Sequence, residues 1–242
     1  MDNIVIFGAT GAIGQSIARQ LHNEGASVFL AARHKEERHS LASELGARHA
    51  SFDAHDEASI AAIIEEATKA GPITGLIWAV GSILLKPLGK LTKDDFATTF
   101  ALNVTGAALA IRYASDSLKA GKGSVLLFSS VAASQGFAAH GAIGAAKAAV
   151  EGLALALATE MAPDVRVNVI APSLTRSKMA APLLSNDIMA KGIAQSHPIR
   201  RLGTGDDFAS LASLLMNPEH SGWMTGAIIP VDGGRGVLRT KG

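Results

Sequence analysis

Three glycines, Gly8, Gly11 and Gly14, follow directly on the apolar run Ile4-Val5-Ile6-Phe7 and lead into a helix-patterned stretch. Glycine at such a turn lets the backbone bend tightly and approach a diphosphate, and the first N–H groups of the next helix then face the negative charge. A lone glycine triplet says little. A strand, the triplet and a helix in succession point to nucleotide binding rather than to a merely structural turn. The next apolar run ends Ala31-Ala32-Arg33. A carboxylate there would receive a ribose 2′-hydroxyl, whereas a guanidinium suits a 2′-phosphate. With a neutral residue at 32 and Arg33 after it, NADP is favoured over NAD. Arg33, His34 and Lys35 are also what a solvated helix start looks like.

Other reactive side chains are few. The absence of cysteine removes disulfides, thiolate nucleophiles and cysteine-ligated metal in one step. His22, His34, His39, His49, His55 and His220 show no i,i+4 pairing on one helix, so no metal site is expected. Arg176, Lys178, Arg200 and Arg201 would flank a cleft mouth and favour an anionic substrate, with a solvated basic rim as the plainer reading.

Short, nearly continuous apolar runs at 3–7, 27–32, 48–52, 75–80, 124–129, 166–170 and 227–231 read as strands covered on both faces. Helical patterns separate them. The first, 12–24, puts Ile13, Ile17, Ala18 and Leu21 on one face and stops at Gly25. This alternation predicts an α/β fold, a doubly wound, seven-stranded parallel sheet of Rossmann type with helices on both faces. The 242 residues, 48% apolar and 18% charged, suit one domain over 1–242, with an irregular cap segment at about 173–205. A net charge of +1 argues against a general nucleic-acid or membrane surface. With no leader pattern and no uninterrupted apolar run of about 18 residues, the expectation is a soluble, cytoplasmic protein acting on a small molecule, without a membrane partner.

With Asn103, Ser130, Lys147, Pro172 and Asp232-Gly233-Gly234 added to the glycine turn, the chain resembles the short-chain dehydrogenase/reductase family over essentially its whole length. The resemblance implies an oxidoreductase of carbonyls or alcohols using a nicotinamide cofactor. It gives catalytic roles to Asn103, Ser130 and Lys147. It places Gly8, Thr10, Gly11, Ile13, Gly14, Arg33, Asp53, Gly81, Asn103, Lys147, Pro172, Thr175 and Ser177 around the cofactor, with Asp53 at the adenine. It also implies a homodimer or homotetramer formed through long helices at about 94–118 and 140–161. Ala142, Ala145, Ala146, Ala149 and Gly152 would permit close helix approach there.

The departures are specific. The family's catalytic Tyr belongs four residues before the Lys and about thirteen after the Ser, and that position is Ile143. Tyr113 is the only tyrosine in the chain and reads as packing or interface. The middle glycine of the turn stands one residue early, Trp78-Ala79-Val80-Gly81 replaces Asn-Asn-Ala-Gly, and Ser173 follows Pro172 where Gly is usual. A phenol of pKa about 10 is the group the family uses to move a proton, and Ile143 has none to move. His140, three residues earlier on the same helix, is a substitute acid by spacing, its plainer reading a water-exposed helix start. His197 is a weaker candidate, expected in a solvated loop. Ser130 could donate through a water relay. Two functions therefore stand: an NADP-linked oxidoreductase of altered mechanism, and a non-catalytic NADP-binding sensor, regulator or oligomer subunit. A lyase or epimerase is a weaker third.

Overall fold

The computed structural model describes residues 2–238. Seven strands, β1 (Asn3–Phe7), β2 (Ser27–Ala31), β3 (Arg48–Ala50), β4 (Gly75–Trp78), β5 (Ser124–Phe128), β6 (Arg166–Pro172) and β7 (Ile228–Val231), pair in parallel in the order β3-β2-β1-β4-β5-β6-β7. Alternate residues along a strand go to opposite faces, and both faces are covered. Val5, Phe7, Leu76, Trp78, Val125 and Leu127 pack against α3 (Glu57–Thr68), α5 (Gly106–Ala120) and α6 (Gly141–Met161). Ile4, Ile6, Leu30, Ile77, Leu126 and Ile170 pack against α1 (Ala12–Asn23), α2 (Lys35–Leu45) and α9 (Asp206–Met216). Each fully buried Ile, Leu or Phe contributes about 1.5–3 kcal/mol over the exposed state. That is why the runs carry no polar alternation.

Strand ends matter more here than strand middles. β1 and β4 last pair at Phe7↔Trp78, and Ala79 N still donates to Phe7 O at 2.9 Å. Beyond that the two chains part. The runs expected to reach Ala32, Phe52, Val80 and Ser129 each stop one or two residues early. β6 instead continues to Pro172, because Pro172 pairs with Val231. The strand order changes direction between β1 and β4, and the parting there is the crevice in which doubly wound sheets bind ligands.

The helix expected over 94–118 is interrupted. α4 (Lys93–Phe100) begins with a reciprocal cap in which Thr92 and Asp95 satisfy each other's backbone N–H. A π-helical turn, Ala101–Thr105, then separates it from α5. The cap segment holds α7 (Ala181–Leu184) and α8 (Asp187–Gln195), and Met179, Ile188 and Met189 stay exposed. The short α10 (Pro218–Ser221) follows α9. α6 has the length and mean hydropathy, 1.4, of a membrane span. Here one side of it, including Ala142, Ile143, Ala146, Val150 and Ala154, is buried against the fold. Ala142 and Ala146 thus face the protein's own interior, and of the small residues expected at an interface only Ala145 and Gly152 are exposed.

Candidate active site

The glycine turn is built of backbone alone. Gly8 has φ +81°, a left-handed conformation that suits glycine. A Cβ on Gly8 would stand 2.7 Å from Ala79 O, across the crevice just past β4. A Cβ on Gly14, in the first turn of α1, would collide with Gly8 O. Gly11 caps α1 without a side-chain hydrogen bond. The helix therefore starts with N–H groups that no side chain satisfies, beside Thr10 and Ile13, which are both half-buried. Free N–H donors at a helix start, with no side chain in the way, are what an anion would need.

Arg33 lies exposed just past β2, and its guanidinium enters none of the ion pairs among the described residues. Asp53, exposed beyond β3, accepts from His55 N at 2.9 Å, which holds the turn before α3. Pro172 ends β6 half-buried. Thr175 is buried, with its hydroxyl donated to Ser173 O at 3.0 Å, and Ser177 Oγ accepts from Ala180 N at 3.1 Å. The backbone here is tied to the chain at Gly203, with Arg176 N donating to Gly203 O at 2.9 Å and Gly203 N to Leu174 O at 3.1 Å.

Asn103, Lys147 and Gly81 come together. Asn103 lies within the π turn, which shifts the backbone bonding by a residue and turns its side chain inward. Its Nδ2 donates to Thr99 O at 2.9 Å and to Ser82 Oγ at 3.2 Å. Its Oδ1 is buried without a partner. Lys147 is buried on α6 and donates from Nζ to Phe128 O at 2.9 Å, two residues before Ser130. Burial, uncompensated by a carboxylate, pushes its ammonium down to about 8. A Cβ on Gly81 would lie 3.1 Å from Asn103 Oδ1 and 3.3 Å from Lys147 Nζ. An unpaired acceptor and an incompletely paired cation thus border one small space, as they would if a hydroxyl or water belonged there.

Ser130 follows β5. Its Oγ accepts from Ala132 N at 3.1 Å, which caps the short turn Val131–Ala133. Its own proton has no acceptor among the described residues. α6 begins against that turn, since a Cβ on Gly144 would stand 3.1 Å from Ala132 O. Ile143, one helical turn before Lys147, is buried there. Tyr113 is elsewhere, on the outer side of α5, with its hydroxyl 2.6 Å from Glu57 Oε1. His140 precedes α6, half-buried, with Nδ1 2.8 Å from Ala138 O.

A family model described as Enoyl-(Acyl carrier protein) reductase matches residues 8–235. The 3-oxoacyl-(acyl-carrier-protein) reductase MabA of Mycobacterium tuberculosis is 30% identical over 242 residues, covering 97% of this chain and 93% of that protein. The chain belongs to the short-chain dehydrogenase/reductase family. Another relative, from Xanthobacter autotrophicus, is named an inactive 2-(S)-hydroxypropyl-CoM dehydrogenase 2. It is 34% identical over 228 residues, covering 90% of this chain and 98% of its own length. Among solved structures, an actinorhodin polyketide ketoreductase variant with NADPH superposes with a TM-score of 0.92 at 25% identity, over 98% of each chain. Homologues of this chain are thus oxidoreductases, and the fold is theirs.

Two features escaped the sequence. His197 is not a solvated loop residue: it is 2% exposed, because the cap folds back over the end of β6. Its Nδ1 lies 2.8 Å from Ile193 O, and a carbonyl can only accept, so Nδ1 carries the proton. Nε2, on the other side of the ring, lies 2.8 Å from the Ser173 hydroxyl. The pair borders a cavity of about 200 Å³ also lined by Arg201, Asp207, Phe208 and Asp232, and by none of Asn103, Ser130 and Lys147. The basic rim is partly neutralised as well. Arg201 is paired with Asp207 and Lys178 with Glu37, while Arg176 and Arg200 are exposed.

Proposed function

We propose that the protein is an NADP-dependent oxidoreductase of a carbonyl or alcohol group on a small molecule. Its proton-handling corner is altered, because Ile143 stands where the family's phenol would be. The observation that carries the reading is the convergence of Lys147 Nζ and the unpartnered Asn103 Oδ1 on Gly81, beside the glycine crevice. When bound, the dinucleotide supplies or takes up the hydride. Ser130, with a free hydroxyl proton, polarises the substrate oxygen. Lys147, mostly cationic at neutral pH, holds the nicotinamide ribose hydroxyls, and Asn103 fixes a hydroxyl or water beside it. Arg33 receives the 2′-phosphate. Ile143 gives no proton, which forgoes about 10²–10⁴ in rate, whereas positioning, worth about 7–11 kcal/mol, is retained. His140 is the nearest titratable group along the chain and the first substitute acid to test.

A second reading, a non-catalytic NADP-binding sensor or oligomer subunit, draws on Ile143 and on the relative whose own name declares it inactive. Both readings take the protein as a cytoplasmic homodimer or homotetramer, joined through α5 and α6.

Titration with NADPH and NADH, followed by a carbonyl screen for loss of reduced-nicotinamide absorbance, tests the proposal. NADPH is expected to bind more tightly, and Arg33→Ala to remove the preference. Equal affinities contradict the cofactor assignment. Tight NADPH binding without turnover of any carbonyl favours the second reading.

A further inference from the structure

The exits of β2 and β6 are four strands apart in the sheet, about 19 Å at about 4.8 Å per strand spacing. Yet Lys178, six residues past β6, meets Glu37, on the first turn of α2, with Nζ 2.6 Å from Oε1. Both strands are parallel and leave the sheet at one edge. The ion pair therefore crosses the ends of β1, β4 and β5, where the glycine crevice opens.

Glu37 is four residues past Arg33, and His34 also acts on its charge. The carboxylate and Lys178 thus lie beside the place assigned to a 2′-phosphate. Lys178 is 84% exposed and Glu37 37%, so the pair is weak and exchangeable. A phosphate, with more charge and three acceptor oxygens, competes well for the ammonium.

We propose that Lys178 is a specificity-determining residue for the 2′-phosphate, leaving Glu37 to share that phosphate with Arg33. The inference rests on the NADP reading above. Glu37 acts in it as a competitor: it holds Lys178 when the phosphate is absent and repels the phosphate when it arrives.

The test is equilibrium binding of NADPH and NADH to the whole protein, followed by nicotinamide fluorescence, for Lys178→Ala, Lys178→Arg, Glu37→Gln and Arg33→Ala. All three positions are exposed or half-buried, and thermal melts check folding. Lys178→Ala should weaken NADPH about fivefold, the scale of an exposed charge pair, and leave NADH within about twofold. Lys178→Arg should keep the selectivity. Glu37→Gln should tighten NADPH, although it removes an ion pair. A Lys178→Ala loss shared equally by NADPH and NADH would assign Lys178 to the diphosphate and overturn the proposal. So would Arg33→Ala weakening NADPH while Lys178→Ala does not, an outcome that leaves the NADP reading intact. Equal affinities of the unaltered protein for the two cofactors overturn both.

Discussion

The two ends of the crevice solve different problems. At the glycine end the work is done by backbone: Gly8 and Gly14 matter for what they lack, and the helix start offers N–H groups whatever the side chains are. At the other end the proposed roles belong to particular atoms: Lys147 Nζ, Asn103 Oδ1, the Ser130 hydroxyl. A backbone site keeps its chemistry through most substitutions that fit. A side-chain site can lose one step through one residue, and on the proposed reading Ile143 is such a change.

The sharpest way to probe this contrast is to restore the phenol. Ile143→Tyr should raise ketone reduction by up to about 10²–10⁴ where the ring docks beside Lys147. The position is buried, so a melting curve should accompany the rates. An inert, folded, NADPH-binding variant would show that the corner serves other chemistry.

Breaking the other end should cost stability as well as binding. Gly14→Ala puts a methyl into Gly8 O, and overpacking of that kind costs about 1–3 kcal/mol or more. Chemical denaturation should show the loss, and NADPH binding should vanish with it. Unchanged stability and binding would mean that the turn is not the close-packed cradle described.

Lys147 provides a pH signature. Its folded-state value, about 8, lies below the unfolded 10.5. The unfolded chain therefore binds more protons between these values, and stability from this group rises with pH across that window. The full rise is about 3 kcal/mol. Below about pH 8 both states are protonated and the burial penalty is constant. Lys147→Met should flatten the slope between pH 8 and 10.5. A slope that persists in Lys147→Met would place its origin elsewhere.

The smallest effect is expected outside both ends. Ser173→Ala leaves Nε2 of the buried His197 without its hydroxyl partner, which should cost about 1–3 kcal/mol in melting or denaturation. A neutral result would mean that water replaces the hydroxyl.

The seven strands were legible because a strand buried on both faces must be apolar throughout, as Val125-Leu126-Leu127-Phe128 is. Their ends were not, since the parting of β1 from β4 depends on neighbours rather than on composition. The glycine turn was legible from its place between a strand and a helix. The π turn at Asn103 was not, because shifting a hydrogen bond by one residue leaves no mark on apolar spacing. Ser173 and His197, 24 residues apart, and Glu37 and Lys178, 141 apart, meet only once the cap is folded. His197 is buried although Pro198 follows it, a pairing that in sequence marks a loop, and loops are ordinarily wet.

The most direct test is the turnover of simple ketones by the unaltered protein, measured at an NADPH concentration shown by titration to saturate it. Tight NADPH binding is expected, with ketone reduction far below an ordinary enzymatic rate of about 10 per second. Saturable ketone reduction at that ordinary rate would contradict it, and would mean that another group, His140 first among them, already supplies the proton that Ile143 cannot.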